Sequence, residues 1–372
     1  MSFRKTAYAT AALSLAALAS AGLARAADLP VKAAKPVKDL PFFLVIDDRV
    51  TFSWMPHGTD PGNYTVRPDG TVNGNTAKQV YSFTHFDIWG YGTNFFNISM
   101  LKSDHNDAAS PCLGSPTSTA VVGGGTGDCA GATEIYGLFR STFGWNEIFG
   151  TKAFSMGPLH NISFEVGADA NTENNFLGPA KRDFVAGLQF AFDLPYKGYV
   201  NVAPLAYKEI NHNAFDQCGL FGTSLAGAGV TCLADGNTDF KTTWAVEINY
   251  YMDLGFLPES MQYFAISGRA GFYGPKGNQN QPLGPAGGGT PTKTELNSEP
   301  IRLTFDASKA FWGPKYSQFV TTWVAWRYWQ NKFGLDHNTA LGGPGVCVLA
   351  GTTISTNTCT ENTVYAGITV KF

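Results

Sequence analysis

Beyond Leu23 this 372-residue chain has no apolar run long enough to cross a membrane as a helix. Phe42 to Ile46, the best of the later runs, stops at Asp47-Asp48. The chain has no sustained helical periodicity, so an α/β domain is not expected. It has little charge (15% Asp, Glu, Lys and Arg) and a formal net charge of -3, which removes the basic footprint of a nucleic-acid binder. No C-x-x-C occurs among its six cysteines, which argues against zinc ribbons and dithiol redox chemistry. No G-x-S-x-G elbow accompanies its six histidines. His105 (beside Asp104 and Asp107), His212 (near Asp216) and His337 (after Asp336) fall in or at the base of loops without a partnered serine. An outer-membrane hydrolase is therefore disfavoured, and neither a metal nor a cofactor is expected.

Glycine (42 residues) and aromatic side chains (14%) are what the chain has in quantity. Its start carries a positive Arg4-Lys5, an apolar Ala9–Leu23 stretch and the small-x-small sequence Ala24-Arg25-Ala26. This pattern predicts a cleaved signal peptide over 1–26. Residues 27–41, rich in Pro, Lys and Ala, read as an extended periplasmic lead-in. From residue 42 to 372 the chain breaks into segments of about ten residues with period-two alternation.

Strands are expected near Asp47–Met55, Gln79–Trp89, Phe95–Lys102, Glu134–Phe143, Asn161–Ala170, Asp183–Phe192, Tyr199–Glu209, Lys241–Met252, Tyr263–Tyr273, Pro300–Ala307, Gln318–Trp329 and Thr363–Phe372. Their connections alternate in length. Gly90–Thr93, Asp193–Tyr196, Gly255–Ser260 and Gly313–Lys315 are short, and most of the intervening ones are long. Short periplasmic turns and long outer loops on an even strand number are the pattern of a closed antiparallel outer-membrane barrel, here of about twelve strands. Gly144–Pro158 is long for a periplasmic turn, and the loop after Ala170 is short for an outer one.

The cysteines obey the same parity. Cys112 and Cys129 fall inside one long outer loop, Cys218 and Cys232 inside a second, and Cys347 and Cys359 inside a third. Each pair is therefore expected to close its own loop by a disulfide in an oxidising compartment. The chain ends on an alternating strand, Val364 to Phe372, whose terminal Phe is the kind of signal presented to barrel assembly machinery. The outer wall would meet lipid and lipopolysaccharide.

Splitting each strand into a lipid face and a lumen face places Tyr81, Phe83, His85 and Asp87 inward, with Val80, Phe86 and Ile88 outward. The same split puts Tyr136, Arg140, Glu165, Glu247, Tyr251, Tyr263, Arg269, Arg302, Trp323 and Arg327 on the lumen side, among further charges such as Asp47, Arg49, Asp183 and Asp306. Both signs of charge on one narrow wall imply salt bridges or solvated groups, because isolated buried charge is costly. Aromatic rings between them offer stacking faces for flat, amphipathic solutes.

Phe83-Thr84-His85-Phe86-Asp87-Ile88-Trp89-Gly90-Tyr91-Gly92-Thr93-Asn94-Phe95-Phe96 resembles the F-x-H-F-x-x-W-x-Y-G-x-N-F-F segment of the Tsx-like nucleoside-specific channel family, which includes OmpK-type proteins. Ser155–Pro158 and Asp193–Pro195 are compatible with it, and the family's arrangement around Gly144–Pro158 looks similar. The resemblance implies a monomeric twelve-stranded barrel, a nucleoside-selective lumen with Phe83, His85 and Asp87 on its wall, and use of the outer loops by phage or colicins. The cysteine-bearing, Gly-rich outer loops depart from that family. A non-selective small porin and a receptor or adhesin with a plugged lumen are the other readings that the pattern allows.

Overall fold

The computed structural model describes residues 42–66, 69–103, 131–174, 180–212, 238–277, 279, 292–338, 346–349 and 351–372. The expected signal peptide and lead-in lie outside these residues. So do Cys112 and Cys129, and likewise Cys218 and Cys232, so two of the three expected disulfides fall where nothing is described.

Twelve long strands form the wall: β1 Phe43–Gly58, β2 Thr76–Trp89, β3 Gly92–Ser103, β4 Thr133–Gly144, β5 Leu159–Glu173, β6 Ala180–Leu194, β7 Gly198–His212, β8 Thr243–Asp253, β9 Phe264–Tyr273, β10 Glu295–Asp306, β11 Val320–Gln330 and β12 Thr360–Lys371. Each pairs antiparallel with the next, and β12 returns to pair with β1 through Arg49↔Lys371 to Trp54↔Ala366, closing the barrel. Closure leaves no long edge strand open to another chain. Short two-residue strands, Thr65–Val66 with Val72–Asn73 and Thr238–Asp239 beside β7, decorate the long-loop end.

Every expected segment coincides with one of the twelve strands. Several run further towards the long loops than the alternation does, β1 to Gly58 and β5 to Glu173. Near that end the outward positions become polar (Gln79, Lys102, Thr133, Asn362), so the sequence contrast between the two faces fades while the ladder continues.

The short connections and the ordered chain end gather at the opposite rim, where Phe372 N–H donates to the Asp48 carbonyl. Pro195–Gly198 closes with a 3.0 Å backbone bond, and Tyr196 and Lys197 both have φ near +57° (56° and 57°). Two such residues make the type I′ turn whose twist matches that of the flanking strands. Gly92 begins β3 where a Cβ would lie 1.9 Å from the Thr142 carbonyl oxygen, so no larger residue fits there. The long Gly144–Pro158 connection holds a one-turn helix, α1 Trp145–Ile148. The β10–β11 connection holds α2 Ala307–Trp312, whose Lys309 N–H donates to Asp306 Oδ1.

Residues opposite one another in the ladder share a face. Ser53 and Met55 are 3% and 4% exposed, whereas Phe52 and Trp54 between them are 42% and 53% exposed, and this sets inside from outside on β1. Carried around the register, the outside is apolar: Val50, Ile98, Phe164, Trp244, Ile301, Val324 and Ile368 are all exposed. The inside buries Lys78, Arg140, Glu165, Asp183, Glu209 and Glu361. Charge within and hydrocarbon without is the arrangement that a membrane-spanning barrel requires. Ile301→Arg, near mid-height on β10, is expected to cost about 2–4 kcal/mol of folding stability in vesicles, measured by urea unfolding.

Candidate functional site

The lumen wall converges at Arg140. This side chain leaves β4 on the inward face and crosses to β8, passing β5, β6 and β7. Its Nε and Nη2 donate to the two oxygens of Glu247 at 2.9 and 2.7 Å, and its Nη1 donates to Asp169 Oδ1 at 2.5 Å. Glu165 lies 3.9 Å from Nε. The crossing depends on Gly167, opposite Arg140 in the β4–β5 ladder, where a Cβ would sit 2.5 Å from Arg140 Cδ.

The remaining lone pairs of this cluster are used by neighbours. Tyr136 donates to Asp169, Tyr273 to Glu247 and Gln189 to Glu165, at 3.0, 3.0 and 2.9 Å. One guanidinium thus donates to both oxygens of Glu247 and of Asp169, with Glu165 close by. Burial of such a pair is tolerated when hydrogen bonds complete both partners, as they do here.

Towards the long loops the interior is filled by further pairs. Lys181 bridges to Asp183 at 2.9 Å and stands 5.7 Å from the centroids of the Tyr207 and Tyr273 rings. Lys276, from the connection after β9, pairs with Glu209, which also accepts from the Tyr207 hydroxyl. Glu361 accepts from Lys332 at 2.9 Å, from Arg327, and from the Thr59 backbone N–H at 3.0 Å. That one carboxylate therefore joins the β1–β2 connection to the β11–β12 connection. Arg302 donates to Glu299 at 2.7 Å and lies 3.8 Å above the Trp323 ring, which meets Tyr365 edge-on.

Cys347 and Cys359 are disulfide-bonded, with Cα atoms 5.4 Å apart, as the loop parity predicts. They pack with Leu335 and Val346 into a small core of the β11–β12 connection. Among the described residues this is the one disulfide. The pairing of Cys112 with Cys129 and that of Cys218 with Cys232 stay expectations of the sequence, because all four residues lie outside the described segments.

The half of the lumen nearer the short turns is more open. Tyr199 is 43% exposed and stacks on Tyr251, with centroids 6.2 Å apart and planes at 23°. Arg49, held by Asp47 at 2.5 and 2.9 Å, also donates to Gln318, which in turn reaches the Tyr251 hydroxyl. Arg269 projects from the inward face of β9 and is exposed; it makes no hydrogen bond or ion pair with the described residues. Among the described residues no cluster could hold a metal ion.

Of the residues expected on the lumen wall, Tyr136, Arg140, Glu165, Glu247, Tyr251, Arg269, Arg302, Trp323 and Arg327 stand on it. Tyr263 sits just before β9 at the rim, with the Lys309 ammonium 5.7 Å from its ring centroid. Tyr81, Phe83, His85 and Asp87 are on the other side. They register with Phe52, Val50, Asp48 and Ile46, and Tyr81 packs its ring against Phe52 outside the barrel at 5.2 Å.

Val80, Phe86 and Ile88, expected outside, are therefore inside. β2 misleads because rings occupy both faces and its outward face carries a histidine and an aspartate. The pairs formed by Lys78, Lys181, Glu209, Lys276, Glu299, Lys332 and Glu361 are not assigned by the sequence reading, although the parity of Asp183 extended to Lys181 would place that lysine.

The displaced polar residues form a cluster on the exterior. His85 bridges Asp48 Oδ1 (2.7 Å, through Nδ1) and Asp87 Oδ2 (3.1 Å, through Nε2). Asn94 donates to Asp87 Oδ1 at 2.9 Å, and the Ser141 hydroxyl donates to Asn94 Oδ1 at 2.6 Å. His85, Asp87, Asn94 and Ser141, but not Asp48, line a groove of about 450 Å³ with Phe42, Phe43, Trp89, Phe96, Phe139 and Phe143 around it.

No protein-family model and no curated protein matches the chain. Among solved structures it is similar to the translocator domain of autotransporter NalP from Neisseria meningitidis, at 9% identity over 90% of each chain and a TM-score of 0.32. It is similar to the TodX deltaS2S3 mutant, a monoaromatic hydrocarbon channel, at 9% identity over 88% of each chain and a TM-score of 0.32. It is also similar to Salmonella typhi OmpF in complex with daunomycin, at 8% identity over 88% of this chain and 97% of that one, with a TM-score of 0.24. Likeness at this level assigns neither family nor activity.

Proposed function

We propose that this chain is an outer-membrane channel for small hydrogen-bonding solutes. The single observation that carries the reading is the inside-out wall converging on one cross-lumen group, Arg140 with Asp169 and Glu247. A cross-lumen cluster bearing both signs of charge disfavours ions of either sign and favours neutral, polar solutes. Within that class nucleosides are the proposed substrates. The stacked Tyr199–Tyr251 pair beside Arg49 offers a ring face and hydrogen-bond donors on the same stretch of lumen. The Tsx-like segment gives this specificity no support from its own side chains, since Phe83, His85 and Asp87 face outward.

The test is uptake by vesicles containing refolded protein, comparing adenosine and thymidine with sugars of similar size. Saturable nucleoside entry is expected, with Tyr251→Ala raising the half-saturation concentration by about 5-fold or more, the equivalent of ~1 kcal/mol of lost stacking. Tyr81→Ala and Phe83→Ala are expected to leave entry unchanged. Equal entry of all solutes would overturn the selectivity and leave a general pore. No entry of any solute would favour a receptor barrel, a reading supported by the charge pairs that fill the outer half of the lumen.

A further inference from the structure

The open half of the lumen holds a cation without a counter-charge. Arg269 is exposed on the inward face of β9, and its guanidinium makes no hydrogen bond or ion pair with the described residues. The acids beside it are already engaged. Glu299 stands opposite it in the β9–β10 ladder, and Glu247 lies two residues from its β8 partner, Asn249. Both oxygens of Glu299 accept from Arg302, at 2.7 and 3.1 Å, and the Tyr365 hydroxyl donates to one of them. Both oxygens of Glu247 accept from Arg140, and Tyr273 adds a third bond. A β-bulge produces this arrangement. Between Ser267↔Arg302 and Arg269↔Glu299, β9 advances two residues while β10 advances three. Residues three apart on a regular strand face opposite ways. The extra residue brings Glu299 and Arg302 onto the same inward face, where they pair with each other and leave Arg269 bare. Gly268 permits the bulge, since a Cβ there would lie 2.5 Å from the Pro300 carbonyl oxygen.

The surrounding wall narrows what this guanidinium meets. Tyr251 follows Asn249 by two residues on the same face of β8, so it is the diagonal neighbour of Arg269 across the ladder. Diagonal pairs lie within reach of long side chains. Tyr251 carries the stack with Tyr199, which is exposed to the lumen. The other polar groups there are taken. Asn249 Oδ1 accepts from Asn201 at 3.1 Å, and the Tyr251 hydroxyl donates to Asp253 at 2.6 Å. A flat solute on this ring pair therefore meets a free fork of N–H donors, and it gains by presenting acceptors. An anion would also present them. The next cluster along the wall, however, sets three carboxylates around the one guanidinium of Arg140, which opposes an anion on this path. The acceptors are thus those of a neutral base.

The purine edge that matches carries a 6-oxo group. Its O6 and N7 both accept, and an arginine fork meets the two together. Adenine places an amino donor where O6 stands, so it faces the guanidinium donor to donor. We propose that Arg269 is the specificity-determining residue of the lumen and reads the O6/N7 edge of 6-oxopurine nucleosides, such as inosine and guanosine, while the base stacks at Tyr199–Tyr251. The inference rests on the nucleoside reading above and adds a preference within that class.

The test is uptake by vesicles containing the full-length refolded protein, comparing inosine with adenosine, which differ only at the N1–C6 edge. Inosine is expected to half-saturate entry at a concentration about tenfold below that of adenosine. Arg269→Gln is expected to reverse the order, because a Gln amide pairs with the N6/N7 edge of adenine. The unboiled gel mobility of wild type and variant reports whether each barrel is folded. Should the variant fail to fold, the wild-type ratio still decides the matter. Saturable entry with equal half-saturation for both nucleosides overturns the inference and leaves the nucleoside channel standing. An inosine preference that survives Arg269→Gln does the same. Inosine monophosphate competing more strongly than inosine also overturns it, because the guanidinium would then be an anion site. Entry that saturates with neither nucleoside fails the nucleoside reading itself, and the inference with it.

Discussion

Arg140→Met is expected to destabilise the barrel by about 3–5 kcal/mol and to turn its conductance strongly towards cations. The guanidinium is the direct hydrogen-bonding partner of both Asp169 and Glu247, and it stands 3.9 Å from Glu165. Met keeps most of the volume and removes the charge. The carboxylates then share a poorly hydrated site without a counter-ion, which is the situation in which breaking a buried pair costs most. Two readouts check it: urea unfolding in vesicles for the stability, and the reversal potential in a salt gradient across a planar bilayer for the selectivity. Unchanged values in both would mean that Arg140 is neither buried among these acids nor on the ion path. Arg140→Lys is expected to retain the charge and lose the bidentate bond to Glu247, giving a smaller effect on both.

Glu361→Gln is expected to have a comparable effect on stability, again about 3–5 kcal/mol, with a different signature. Lys332 and Arg327 both donate to this carboxylate, and its neighbour in the same network is the Thr59 backbone N–H. Losing the charge leaves two buried cations facing an amide. Because Thr59 and Lys332 belong to different long connections, the loss should also free the outer loops from one another. Limited proteolysis of intact vesicles is therefore expected to cut the loops of Glu361→Gln faster than those of wild type, while the strands stay protected. Uniform loss of protection, loops and strands together, would instead place Glu361 in the general stability of the barrel with no special link between loops.

The twelve strands are legible because each carries its own alternation and the connections alternate in length. The closed fold follows from those two local signals with no long-range information. The lumen is legible wherever one face is purely apolar. On β8, Trp244, Val246 and Ile248 leave no doubt about Glu247, and on β4 Ile135 and Phe139 do the same for Arg140. It is illegible on β2, where a one-residue change of phase moves Tyr81, Phe83, His85 and Asp87 together to the opposite face. The outward His85 and Asp87 are stabilised by Asp48 and Asn94 from neighbouring strands. Such cross-strand partners become visible only once the register is known. The same holds for Lys276 and Lys332, which lie just past the ends of β9 and β11 and pair with Glu209 and Glu361 on other strands.

The facing of β2 is the point on which the lumen, its exterior groove and the proposed solute path all depend. The direct measurement is spin-label accessibility on refolded protein in vesicles. Labels are placed singly at Tyr81→Cys, Ser82→Cys, Phe83→Cys and Thr84→Cys, in a background where the six native cysteines are serine. Labels at 82 and 84 are expected to relax with a water-soluble nickel chelate, while those at 81 and 83 relax with lipid-dissolved oxygen. The opposite alternation would contradict that facing, returning Phe83 and His85 to the lumen and removing the exterior groove.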